Sequence, residues 1–83
     1  MFKIFYSDQA LKNLKKIEKK WQIKIMQAIE GLKQNPFEGK KLQGKLIGLF
    51  SLRVWPYRII YILEKQKAMA IILDIGHRQG VYN

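Results

Sequence analysis

Arginine occurs at only three positions in this chain, Arg53, Arg58 and Arg78, while lysine supplies the remainder of sixteen basic residues. The difference is chemical. A planar guanidinium binds two oxygens of one phosphate at once, whereas an ammonium acts as a point charge. The chain closes on DIGHRQGVYN, which sets His77 and Tyr82 around the third arginine. Imidazole exchanges protons near neutral pH. An aromatic ring offers a flat surface for a nucleobase, and stacking of that kind contributes about 1–3 kcal/mol. Groups suited to phosphate binding, proton transfer and base stacking thus fall in one short segment. Frayed tails tend to be small and polar, so this ending is expected to complete a site.

The elements that must carry these groups belong to a small molecule. At 83 residues the chain has room for one hydrophobic core, and residues 1–83 are expected to form a single domain. The lack of cysteine excludes a disulfide scaffold and a thiolate zinc site. One histidine and six scattered carboxylates argue against a metal centre, and no cofactor is expected. The opening MFKIFYSD lacks the apolar stretch of a signal peptide, and no segment is long enough to span a bilayer. A cytoplasmic location without a membrane partner is the expectation. A formal net charge of +10 points to an anionic partner: nucleic acid, anionic lipid or an acidic protein.

Residues 2–6, FKIFY, alternate and read as a first strand. Ser7 is placed to cap a helix, with Asp8 in its first turn. Leu11, Leu14, Ile17 and Trp21 form one apolar stripe, and Ile25, Ile29 and Leu32 form a second. Two helices follow, with a break expected at residues 19–21. The segment NPFEGKKLQGKLIG, which carries Lys40, Lys41 and Lys45, reads as a loop. The runs LFSLRV, YRIIYIL and MAIILDI then read as an antiparallel meander joined at Trp55-Pro56 and at EKQKA. The expected architecture is α+β. Two helices from the N-terminal half pack on one face of a mostly antiparallel four-stranded sheet, in the order β-α-α-β-β-β.

Side chains alternate between the faces of a strand, so the turn fixes where the arginines point. If Trp55-Pro56 is a two-residue turn, with trans the expected isomer, Val54 faces Tyr57 and Arg53 faces Arg58. The core face then holds Phe50, Leu52 and Val54 together with Tyr57, Ile59, Tyr61 and Leu63. In the last strand the best apolar set is Met69, Ile71, Leu73 and Ile75. That choice puts Asp74 opposite Arg58 and leaves the arginines on the face without helices. Like charges across a ladder are destabilising, so Arg53 beside Arg58 is explained by an anion between them.

The segments LQGKLIGLFSLRVWPYRIIYIL and ILDIGHRQGVY resemble the RelE/ParE superfamily of type II toxin–antitoxin toxins, and the likeness extends over nearly the whole chain. It implies a RelE-like fold. In the RelE branch it implies a metal-independent endoribonuclease, an mRNA interferase that cuts messenger RNA in the ribosome and inhibits translation. Arg58 would then hold the transition state, Arg78 the phosphate near the leaving oxygen, and Tyr82 the base. Arg53, Lys41 and Lys45 are the accessory nucleic-acid-binding candidates. RelE-like nucleases often carry two lysines in the strand before the first arginine, where this chain has Leu49 and Ser51. Lys41 and Lys45, or else His77, are left to move protons. Arg58, Arg78 and Tyr82 together favour the nuclease; the resemblance also admits, as the alternative, a ParE-like inhibitor of DNA gyrase, and the charge alone admits a basic RNA-binding module. A toxin of either kind implies an acidic, partly disordered cognate antitoxin.

Overall fold

Ser7 sets the first corner of the chain. Its hydroxyl accepts a hydrogen bond from the Ala10 backbone at 3.0 Å and donates one to the Leu73 carbonyl at 2.8 Å. One side chain therefore caps a helix and ties it to the sheet. In the computed structural model, which describes residues 1–77, this helix is α1, Asp8–Lys16. A second helix, α2, spans Lys19–Gly31. The break falls at Ile17 and Glu18, earlier than the apolar spacing predicts, with Ile17 in extended conformation. No glycine or proline is needed there, because the Gln22 amide donates to the Leu14 and Ile17 carbonyls at 2.8 and 2.9 Å. The open end of α1 is satisfied by α2.

The sheet holds one strand more than the sequence predicts. Its members are β1 (Lys3–Tyr6), β2 (Lys40–Lys41), β3 (Phe50–Val54), β4 (Tyr57–Glu64) and β5 (Met69–His77). They lie in the order β1-β5-β4-β3-β2, with β1 parallel to β5 and the other pairs antiparallel. The added strand, β2, is a pair of lysines inside the expected loop. A strand this short and polar has no alternation to betray it, and lysine on an edge discourages further pairing. The remaining class holds: helices and a mostly antiparallel sheet form an α+β domain.

Ala10, Leu14, Ile25, Ile29 and Leu32 from the helices meet Phe50, Leu52, Ile59, Tyr61, Ile72 and Ile75 from the sheet in one core. Both stripes contribute, although Leu11 at 40% exposure lies outside the first. The β3–β4 parity is as expected, but that of β5 is not. Ala70, Ile72 and Ile75 are the fully buried positions, in place of Met69, Ile71 and Leu73. The cause is a register shift: Ile60 pairs with Asp74, yet Tyr61 pairs with Ile72, so Leu73 is an extra residue in β5. A bulge of this kind switches which parity faces the core. It also moves Asp74 away from Arg58, whose partner across the ladder is Gly76. The Asp74 carboxylate instead accepts from Asn13 of α1 at 2.6 Å and from the Ile75 backbone at 2.9 Å.

Candidate functional site

Trp55 and Pro56 turn β3 directly into β4, and their peptide bond is cis rather than trans. The register that follows pairs Val54 with Tyr57 and Arg53 with Arg58. Since Leu52 and Ile59 face the helices, both arginines lie on the opposite face. Arg53 is exposed and Arg58 half-buried. Beside them β2 lays Lys40 opposite Ser51, a buried residue of the same parity as Arg53. These groups line a cleft of about 520 Å³ together with Glu38 and Leu42. Arg53, Arg58 and Lys40 thus border one hollow, a basic lining that suits a phosphate group.

The loop that forms the rim is held from below. Tyr61, fully buried in the core, donates its hydroxyl proton to the Pro36 carbonyl at 2.8 Å and accepts from the Gly39 backbone at 2.9 Å. Burial pushes its hydroxyl above the ordinary tyrosine range, so it keeps the proton it donates. Gly39 has no alternative at this point. A Cβ there would stand 2.6 Å from the Tyr61 hydroxyl oxygen. The Asn35 amide donates to Glu38 at 2.9 Å and completes the turn.

The other expected site residues are dispersed. Lys41 pairs with Phe50 and borders a separate hollow with Leu42 and Leu63, and Lys45 is exposed in a 3₁₀ turn at Gly44–Leu46. Neither lines the arginine cleft. His77 pairs with Tyr57, its ring 6.0 Å from the tyrosine ring, on the face that carries the helices. The thickness of the sheet separates it from Arg58. Arg78 and Tyr82 lie outside the described residues. Lys40, Glu38 and Tyr61 are the contributors that sequence reasoning missed. Lys40 and Lys41 look alike in sequence, and only the β2–β3 register tells which of them joins the arginines. Among the described residues, no three His, Asp or Glu side chains gather as metal ligands. No described helix is long and apolar enough to cross a membrane.

Residues 4–82 match the family model described as "ParE toxin of type II toxin-antitoxin system, parDE", and the chain belongs to that family, within the RelE/ParE superfamily. Toxin RelG of Mycobacterium tuberculosis is 36% identical over 44 residues, or 53% of this chain. That match spans about half of the relative, 51% of its length. Among solved structures, the chain is similar to the toxin–antitoxin complex RelBE2 from Mycobacterium tuberculosis, with a TM-score of 0.87, 26% identity, and 93% of this chain and 98% of that one covered. The fold is also that of the intact Escherichia coli RelBE complex, with a TM-score of 0.80 at 20% identity and 93% and 96% covered.

Proposed function

We propose that this toxin is a ribosome-dependent endoribonuclease that cleaves messenger RNA and so inhibits translation. The observation that carries the reading is the cross-strand pair Arg53–Arg58 in an open cleft with Lys40 and Ser51. Guanidiniums at paired cross-strand positions suit the oxygens of an RNA phosphate, because each planar fork binds two of them at once. Cleavage by attack of a ribose 2′-hydroxyl on its own phosphate builds negative charge on the phosphoryl oxygens. Arg58 at the cleft floor stabilises that charge and Arg53 at its mouth guides the backbone. In this reading Arg78 contacts the phosphate near the leaving oxygen, and Tyr82 orients the base by stacking. A cytoplasmic setting and an acidic cognate antitoxin that covers the cleft accompany it.

The matching family is that of ParE toxin, and the second reading is the one the ParE resemblance implies: inhibition of DNA gyrase without nuclease chemistry. The two are separated in vitro. Purified protein added to ribosomes loaded with a defined mRNA should cut it, and Arg58→Ala should not. Loss of gyrase supercoiling with the message intact would favour the second reading.

A further inference from the structure

Cleavage by a ribose 2′-hydroxyl needs one group to take the hydroxyl proton and another to protonate the departing 5′-oxygen. Arginine does neither, because its guanidinium stays protonated in proteins. Among the described residues that line the arginine cleft, the side chains that readily exchange protons are those of Glu38 and Lys40. At neutral pH a carboxylate is a ready acceptor and an ammonium a ready donor. Lys41, Lys45 and His77 are directed elsewhere, as described above.

We propose that Glu38 and Lys40 are the proton-transfer pair of this cleft, Glu38 as general base and Lys40 as general acid; the proposal rests on the nuclease reading. The Glu38 carboxylate takes the 2′-hydroxyl proton as the 2′-oxygen bonds to phosphorus. The bond from phosphorus to the 5′-oxygen breaks, its electron pair stays on that oxygen, and the Lys40 ammonium protonates it. The products are a 2′,3′-cyclic phosphate and a 5′-hydroxyl. Glu38 ends protonated and Lys40 neutral, and exchange with water restores both.

The fold positions the pair. Tyr61 clamps both ends of residues 36–39, so the backbone that carries Glu38 is fixed to the core. The Asn35 amide holds one carboxylate oxygen at 2.9 Å, which orients Glu38 without exhausting a group that accepts at both oxygens. Lys40 follows at once in β2, opposite Ser51 in the ladder. Tyr61 is thus a positioning residue for the base.

A mere capping role for Glu38 is separable from catalysis, because Glu38→Gln keeps an oxygen that accepts from Asn35. Single-turnover cleavage of ribosome-bound mRNA is measured across pH, alongside binding of the same message with a 2′-deoxy sugar at the scissile position. Glu38→Gln should bind normally, cleave about 10²–10⁴-fold more slowly and show a pH profile of different shape from the wild type. Lys40→Arg keeps the charge without a transferable proton and should also cleave slowly. A wild-type rate in Glu38→Gln would overturn the base, and in Lys40→Arg the acid. If the wild-type protein cuts no message at all, the nuclease reading fails first and takes the pair with it.

Discussion

At the scale of single residues, the arginines are placed by arithmetic that the sequence permits. A two-residue turn at Trp55-Pro56 forces Arg53 opposite Arg58, and the observed register agrees. What the sequence hides is the partner on the other side. Leu73 looks like one more core residue in an alternating run, and nothing in its type reveals that it bulges and resets the parity of β5. Asp74 therefore reads as a surface partner for Arg58, whereas it binds Asn13. Arg58 lies on the face opposite the helices, so Arg58→Ala should still fold while cleavage falls about 10²–10³-fold, the usual loss of one charge-stabilising donor. Should melting drop as far as activity, Arg58 is structural. Tyr82 separates by chemistry. A phenol titrates at about 10 and is a poor base at neutral pH, so Tyr82→Phe should retain much of the cleavage and Tyr82→Ala should lose most of it. Equal loss in both variants assigns the hydroxyl a chemical role.

At the scale of elements, the helices were legible from their stripes and the Ser7 cap, but β2 was not. Two adjacent lysines carry no strand signal, and their pairing is settled by tertiary contact with β3. The same loop depends on Tyr61, which sequence alternation marks as core without revealing that its hydroxyl anchors residues 36–39. Gly39→Ala drives a methyl group against that hydroxyl and should cost about 1–3 kcal/mol, read by thermal melting. Tyr61→Phe leaves the Pro36 carbonyl and Gly39 amide without this partner and should cost a similar amount, about 1–3 kcal/mol. Its pH dependence has a definite sign. The folded protein holds the Tyr61 proton more tightly than the unfolded chain does. Stability is therefore intact below the unfolded value of about 10 and declines as pH rises through the higher folded value. That alkaline decline should be shallower in Tyr61→Phe. Ser7→Ala removes the α1 cap and its bond to β5, and a loss of about 0.5–2 kcal/mol is expected.

At the scale of the whole molecule, the charge of +10 is distributed mainly as lysine, while arginine is kept for the sheet face opposite the helices and for the tail. Composition pointed to an anionic partner, and the motifs made the family legible. Neither could distinguish RNA from gyrase as the target. The lysines govern attraction over distance, so binding to RNA should weaken with salt, and Arg53→Ala should lower the slope of log affinity against log salt by about 1. The nuclease account is tested most directly in growing cells. The wild-type protein and Arg58→Ala are each induced, and new 5′ ends are mapped on ribosome-bound transcripts. The account predicts fresh ends inside codons of translated messages with the wild type and none with the variant. Intact messages together with a DNA-damage response would contradict it and assign the toxicity to gyrase.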